Sequence, residues 1–191
     1  MIKTGFQNIF PVPIYTVFLD NKLADEMEDL IIPRLNNLEQ VPSQKTDYFL
    51  KERIVSFEEL LPFFNYINPI ISDYSNQSNI NRSNNIEYWM QDYSKNEFHS
   101  SHTHADTLIS GVYYVRANNN AGNLKFTNPN PLFSVTDLKE GGKNETNFEI
   151  KPQKGLLVLF PGWLLHETMA SPMDDCVRTS LVFNIYKKYD K

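Results

Sequence analysis

The chain has 191 residues, of which 41% are hydrophobic and 13% aromatic, a size and composition typical of one globular domain. Its net charge of −5 means that the chain has no excess of positive charge to attract nucleic acid, so nucleic-acid binding is not indicated. The single cysteine excludes an internal disulfide framework and favours a reducing compartment. No apolar segment predicts a signal peptide or a membrane span, and we expect a cytoplasmic protein.

Residues 1–85 contain the helical part of the sequence together with the first strands. Residues 21–38, NKLADEMEDLIIPRLNNL, carry apolar side chains at helical spacing, with Asn21 as the predicted cap. Pro33 is expected to end or kink this helix, because proline lacks the amide hydrogen that a helix interior requires. A second helix is predicted over residues 56–74, SFEELLPFFNYINPIISDY, which is apolar enough to pack against a sheet.

From about Ile86 the pattern changes to short apolar or aromatic runs separated by turn residues. Six runs fit this description: IEYWMQDY, ISGVYYVRA, GNLKFTN, NFEIKP, GLLVLF and VRTSLVFNIY. Several short strands at regular spacing are typical of an antiparallel sandwich or barrel. The segment ANNNAGN, residues 117–123, is predicted to form a hairpin turn. We expect one domain over residues 1–191, with the barrel in residues 86–191.

Three of the four histidines lie within six residues, in the segment HSSHTH. His102 and His104 are two residues apart just before a predicted strand, so in extended backbone both side chains point to one face and reach one ion. His166 follows the Pro-Gly break after the run GLLVLF. Two histidines and a carboxylate on one face of a metal are typical of non-haem Fe(II) oxygenases, and here a third histidine can take the place of the carboxylate. For His99 we expect a pocket or surface position instead.

An alternative set of metal ligands shares two histidines with the first set. His104 and Asp106 have the same spacing and would restore a carboxylate, giving the alternative set His104, Asp106 and His166. The set His102, His104 and His166 is preferred, because Asp106 lies very close to the start of the predicted strand. Both sets remain open at this point.

An arginine interrupts the apolar run VRTSLVFNIY. Arg178 is costly to bury there without a partner, and strand alternation places Ser180 on its face. Together the planar guanidinium group of Arg178 and the hydroxyl of Ser180 can donate hydrogen bonds to one carboxylate. Tyr114 on the ISGVYYV strand can add a phenolic hydroxyl. The alternative is a surface ion pair of Arg178 with Glu167 or Asp175.

Taken together, these segments resemble the 2-oxoglutarate/Fe(II)-dependent oxygenases. The resemblance runs from about Trp89 to the end and, more weakly, through the opening NIFPVPIY. HTH followed by LISGVYYV is similar to the H-x-H and SGVYY pattern of a branch with phage and marine bacterial members. AGNLKFTNP, LFPGWLLH and RTSLVFNI resemble its next strand, its distal-ligand segment and its carboxylate-clamp strand.

The resemblance implies a double-stranded β-helix, a cupin-like jelly roll flanked by the N-terminal helices. It implies Fe(II) as the metal, decarboxylation of 2-oxoglutarate to succinate with O₂, and hydroxylation of a protein side chain, an amino acid or another metabolite. It also implies the cytoplasm of a bacterium or of an infected host cell. Arg178 and Ser180 match the family's clamp on the 2-oxoglutarate carboxylate, and Tyr114 occupies the place of a tyrosine that contacts the same carboxylate. The positions that match metal ligands are His102, His104 and His166.

Two other functions remain open from the sequence. One is a three-histidine cupin-type dioxygenase that does not use 2-oxoglutarate, for which Arg178 would be dispensable. The other is a non-catalytic jelly-roll binding or virion-associated module with structural histidines. Most of the superfamily carries H-x-D rather than H-x-H, and we expect no catalytic residue beyond the metal centre. The substrate and the oligomeric state are not predicted, although an oligomer is possible.

Overall fold

The computed structural model describes residues 11–39, 44–130 and 146–187. Within these ranges the chain forms two helices, α1 (Asn21–Leu35) and α2 (Phe57–Gln77). The same ranges contain ten strands, which are β1 (Tyr15–Phe18), β2 (Lys45–Thr46), β3 (Ile86–Tyr93), β4 (His99–His102), β5 (Thr107–Ala117), β6 (Leu124–Thr127), β7 (Asn147–Ile150), β8 (Leu156–Pro161), β9 (His166–Thr168) and β10 (Arg178–Tyr186). No helix in the described part is long and apolar enough to span a membrane.

Helix α1 differs from its prediction at both ends. The cap is Asp20, whose carboxylate accepts a hydrogen bond of 2.8 Å from the Lys22 amide, and Asn21 is the first helical residue. Pro33 does not end the helix, since α1 continues to Leu35, and the alternative of a kink at Pro33 stays a prediction. A proline in the last turn removes only one hydrogen bond, and burial of Leu35 in the core holds that turn in place.

Helix α2 begins with a reciprocal capping arrangement. The Ser56 hydroxyl accepts from the Glu59 amide, and the Glu59 carboxylate accepts from the Ser56 amide, which satisfies two otherwise unpaired donors. The side chains of Phe63, Phe64 and Ile67 are buried against the sheet. The predicted helix is confirmed, and it extends three residues further than the sequence pattern indicated.

The strands form two antiparallel sheets, in agreement with the predicted jelly-roll class. One has six strands in the order β1-β8-β5-β10-β3-β2, and the other has four in the order β4-β9-β6-β7. Each of the six predicted runs contains a strand. The predicted hairpin at residues 117–123 was wrong, because this segment carries the chain from β5 in one sheet to β6 in the other. Hydrogen bonds from Asn118 and Asn120 to Asp175 hold the crossover in place.

Strand β10 separates two apolar clusters because its side chains alternate. Leu181 and Phe183 pack with the helices on the outer face, where Gly111 of β5 leaves space for the Phe183 ring. A Cβ atom at Gly111 would lie 2.1 Å from that ring. The opposite face carries Arg178 and Ser180 into the space between the two sheets, and that space contains the candidate site. The predicted organisation of 1–191 as a single domain, with a boundary near residue 85, stays a prediction.

Candidate metal centre and adjoining pocket

Two histidines that are neighbours in the chain, His102 and His104, meet the distant His166 between the sheets. His102 ends β4 and His166 begins β9, and the two residues lie directly opposite each other in the antiparallel register. His104 lies in the connection from β4 to β5. Each imidazole offers one nitrogen, and the three nitrogen atoms lie within 4.8 Å of one another. The strand pairing therefore brings the preferred ligand set together.

Each of these imidazoles is oriented by an oxygen atom at its Nδ1. His102 Nδ1 lies 2.7 Å from the Ser100 carbonyl oxygen, and His166 Nδ1 lies 2.7 Å from the Leu164 carbonyl oxygen. His104 Nδ1 lies 2.6 Å from the side-chain oxygen of Asn184. Because these oxygens only accept hydrogen bonds, Nδ1 carries the proton in all three rings, and each Nε2 presents a lone pair.

Burial keeps the three rings neutral. It lowers the pKa of His166 to about 3 and also lowers the pKa values of His102 and His104. A neutral imidazole with an available nitrogen is the form that binds metals. The site therefore has its ligand atoms deprotonated at neutral pH.

The donor atoms fit a divalent transition metal. The Nε2 atoms of His102 and His104 are 3.1 Å apart, and neither carries a proton to place between them. Two ligands at right angles, with metal–nitrogen bonds of about 2.1 Å, would be separated by about 3 Å. Imidazole ligands suit iron, zinc, copper and nickel, so the residues present fit Fe(II).

Asp106 and His99, which are close to His102 and His104 in the sequence, do not belong to the three-histidine cluster. Asp106 is exposed in the turn before β5, with a φ of 57°, and does not belong to the group that could hold a metal. His99 is half-buried, and its ring stacks on that of His102 with 4.1 Å between the centroids. His99 thus lies in the pocket beside the cluster, the position expected for it.

Arg178 is buried at the other end of the same cavity. Its side chain is 2% exposed, one guanidinium nitrogen donates a 2.6 Å hydrogen bond to the Gly122 carbonyl, and the guanidinium lies 4.3 Å from the centre of the Tyr93 ring. Among the described residues no carboxylate forms an ion pair with Arg178. Desolvation lowers the pKa of Arg178, so within the described part of the chain this cation is held in an unfavourable environment without a counter-ion.

Ser180 and Tyr114 are paired in register and line the cavity with Arg178. Burial raises the pKa of Tyr114 to about 12, so its hydroxyl keeps its proton and can donate a hydrogen bond. The cavity connects these groups with the histidine cluster: its lining includes all six preferred site residues, His102, His104, Tyr114, His166, Arg178 and Ser180. Their roles as ligands and clamp stay predictions.

A wider cleft of about 380 Å³ opens from the histidines towards the surface. One wall is aromatic: the Tyr48 ring contacts those of Phe49 and Trp89, with centroids 5.2 Å and 5.0 Å apart. The loop that carries Tyr48 and Phe49 is held by the buried Asp47 carboxylate, which accepts hydrogen bonds from two backbone amides. Arg53 holds the same loop through the carbonyls of Asp47, Tyr48, Leu50 and Tyr88.

Sequence reasoning missed two residues of the site. Ser110 and Asn184 lie opposite each other on β5 and β10, and both contact the Nδ1 atom of His104. The period-2 alternation that placed Arg178 and Ser180 on the inner face also places Asn184 there, so the sequence did carry a signal for this residue. Nothing in the sequence indicated the pairing with Ser110.

A family model for 2OG-Fe(II) oxygenases matches residues 87–184, more than half of the chain. The chain belongs to the 2OG-Fe(II) oxygenase family. It follows that this oxygenase depends on Fe(II) and 2-oxoglutarate, as the sequence resemblance implied. Its origin in a phage or marine bacterial branch and its cytoplasmic location stay predictions. No protein of curated function matches the sequence of this oxygenase significantly.

Solved structures of low sequence identity share the fold of this oxygenase. A prolyl-4-hydroxylase from Pseudomonas putida is 14% identical, with a TM-score of 0.63 over 93% of this chain and 94% of that one. HygX from Streptomyces hygroscopicus, with nickel and 2-oxoglutarate bound, is 12% identical, with a TM-score of 0.60 over 93% and 84%. A prolyl hydroxylase from Trichoplax adhaerens, in complex with a peptide fragment of hypoxia inducible factor, is 14% identical, with a TM-score of 0.57 over 90% and 83%.

Proposed function

We propose that this oxygenase hydroxylates a substrate bound in the aromatic cleft while 2-oxoglutarate is converted to succinate in the inner cavity. In this proposal Fe(II) is held by three neutral imidazoles, His102, His104 and His166. The far carboxylate of 2-oxoglutarate is bound by Arg178 together with Ser180 and Tyr114. The substrate is a protein side chain, an amino acid or another small metabolite, and it reaches the centre through the wider opening.

The observation that supports the proposal is the buried Arg178, which forms no ion pair with any carboxylate of the described residues and lies in the cavity that the histidine cluster also lines. A buried cation without a carboxylate partner is unfavourable, unless a ligand supplies the negative charge when it binds. A guanidinium offers two parallel donors to a carboxylate, and the Ser180 and Tyr114 hydroxyls supply further donors. HygX, which has the same fold, has been solved with nickel and 2-oxoglutarate bound.

The protein's own residues bind, orient and protect the reactants. Three neutral ligands leave the full charge of a divalent ion in place, which favours the dianionic cosubstrate electrostatically. Arg178 orients that cosubstrate along the cavity, and the apolar residues Val112, Leu124 and Val182 keep the cavity dry. Bound Fe(II) would supply the redox chemistry with O₂ by which 2-oxoglutarate is decarboxylated and the substrate is oxidised.

The test is release of labelled CO₂ from 2-oxo[1-¹⁴C]glutarate, with Fe(II) and ascorbate, in the absence of added substrate. We expect slow turnover in the wild-type protein and none in His166→Ala or Arg178→Met. The matched control is Arg116→Met, because Arg116 is half-buried and binds Thr179 and Asp92 away from the cavity. Turnover of 2-oxoglutarate by Arg178→Met at the wild-type rate would contradict the proposed role of Arg178 in binding the carboxylate. A wild-type protein that binds Fe(II) but neither binds nor consumes 2-oxoglutarate would favour the three-histidine dioxygenase alternative.

A further inference from the structure

Among the described residues, only one of the three histidines has other side chains as the hydrogen-bond partners of its Nδ1 atom. The Nδ1 atoms of His102 and His166 face backbone carbonyls, which any sequence provides. His104 instead faces two polar side chains from the six-stranded sheet, Asn184 and Ser110. Both are buried, with 5% and 0% exposure, and they lie opposite each other in the β5–β10 pairing.

The hydrogen bonds around His104 determine its tautomer. The Asn184 oxygen lies 2.6 Å from His104 Nδ1 and 2.9 Å from the Ser110 hydroxyl oxygen, and that hydroxyl donates to it. An amide oxygen with two lone pairs accepts both hydrogen bonds. His104 must therefore hold its proton on Nδ1, and its Nε2 is directed towards Nε2 of His102.

We propose that Asn184, supported by Ser110, is the positioning residue that allows a histidine to serve as a metal ligand at position 104. This inference rests on the proposed function. An aspartate ligand, as in the H-x-D pattern, would need hydrogen-bond donors behind it, whereas a neutral imidazole needs an acceptor. The Asn184 oxygen is that acceptor. The site consequently carries one more positive charge when it holds a divalent ion than a site with a carboxylate ligand carries.

The first experiment measures Co(II) binding to the metal-free full chain by calorimetry and by the visible absorption of the bound ion. Asn184→Leu removes the amide acceptor at similar volume and leaves at Nδ1 the Ser110 hydroxyl, which can either donate or accept. We expect Co(II) affinity to fall about 10- to 100-fold, the usual effect of removing a partner of a metal-bound histidine. Asn184→Asp keeps an acceptor and should bind Co(II) at least as tightly as the wild type. Ser110→Ala should weaken binding less than Asn184→Leu, because it leaves the acceptor in place.

A second readout reports the tautomer directly. In ¹⁵N-labelled metal-free protein, His104 should show one protonated Nδ1 in the wild type and in Asn184→Asp, and a mixture of tautomers in Asn184→Leu. The matched control is Thr179→Val, on the outer face of the same strand, which removes a buried hydrogen bond to Asp92. This variant should lose stability and keep its Co(II) affinity.

Three results would overturn the inference: wild-type Co(II) affinity in Asn184→Leu, binding by Asn184→Asp as weak as that by Asn184→Leu, or an unchanged tautomer in Asn184→Leu. In each case the proposed function stands if the wild type binds Co(II) and 2-oxoglutarate. A wild-type protein that binds no divalent metal would overturn both proposals. If Asn184→Leu does not fold, Asn184→Asp decides, and Co(II) binding weaker than that of the wild type or a mixture of His104 tautomers in this variant would overturn the inference.

Discussion

Replacement of Arg178 by methionine tests whether this side chain binds a ligand or supports the fold. Methionine keeps much of the volume and removes the charge. In the proposed complex the guanidinium donates two charge-assisted hydrogen bonds to a carboxylate, each contributing about 1.5–3 kcal/mol. Their loss corresponds to roughly 10²- to 10⁴-fold weaker binding of 2-oxoglutarate, at about 1.4 kcal/mol per tenfold change.

The same substitution should cost little stability in the metal-free protein. It removes the hydrogen bond to the Gly122 carbonyl, which contributes about 1.5–3 kcal/mol, and the contact with the Tyr93 ring, which contributes about 0.5–2 kcal/mol. Against this, it relieves the desolvation of a buried ion, which costs several kcal/mol when no counter-ion is present. We therefore expect an unfolding free energy within about 2 kcal/mol of the wild-type value.

Two measurements check this reasoning. Calorimetry of 2-oxoglutarate binding to the Co(II)-loaded protein gives the affinity, and urea unfolding of the metal-free protein gives the stability, with Arg116→Met as the control for both. Affinity within threefold of the wild type would refute the binding role. A loss of most of the stability with unchanged affinity would show that Arg178 is a structural residue.

Three further outcomes are expected. His166→Ala should lose Co(II) binding, whereas Asp106→Asn should retain it, because the Asp106 carboxylate lies outside the histidine cluster. Burial lowers the pKa of His166 to about 3, so below its unfolded value near 6.5 the unfolded chain takes up the proton first. His166 alone should therefore cost the metal-free protein about 1.7 kcal/mol of unfolding free energy between pH 6.5 and pH 5, and His102 and His104, whose pKa values burial also lowers, add to this loss. Gly111→Ala should destabilise the protein by about 1–3 kcal/mol, because its Cβ would overlap the Phe183 ring, and Phe183→Leu should partly restore stability.

Each of these outcomes has a direct check. Loss of Co(II) binding in both Asp106→Asn and His166→Ala would favour the alternative ligand set of the sequence analysis, which contains both residues. The pH effect is measured by urea titration in the presence of EDTA, and His166→Asn should show a smaller loss. An equal loss in that variant would assign the effect to other groups. Wild-type stability in Gly111→Ala would mean that the β5–β10 packing adjusts without cost.

Local pattern was sufficient to predict the strands and the inner face of β10. The run RTSLVFNIY alternates cleanly, so its period of two is enough to place Arg178 and Ser180 on one face. The limits of the first helix were less well predicted, because Asp20 and Asn21 are equally good caps and only the backbone decides between them. Pro33 does not end this helix, because burial of the final turn outweighs one missing hydrogen bond.

Features that depend on strand pairing could not be predicted from the sequence. The segment at residues 117–123 has the composition of a hairpin turn, yet β6 pairs with β7 and β9 rather than with β5. The pairing of Ser110 with Asn184 depends on the same long-range register. The loop that carries Tyr48 is fixed by Asp47 and Arg53 through backbone groups, for which no sequence motif exists.

The three histidines do not all belong to the same layer of the protein. His102 and His166 are part of the four-stranded sheet, whereas His104 is fixed to the six-stranded sheet through Asn184. An ion held by all three would act as a cross-link that ties the layers together at one edge. Metal loading should accordingly slow hydrogen exchange in both layers at once, with the greatest protection at the amides of β4 and β9.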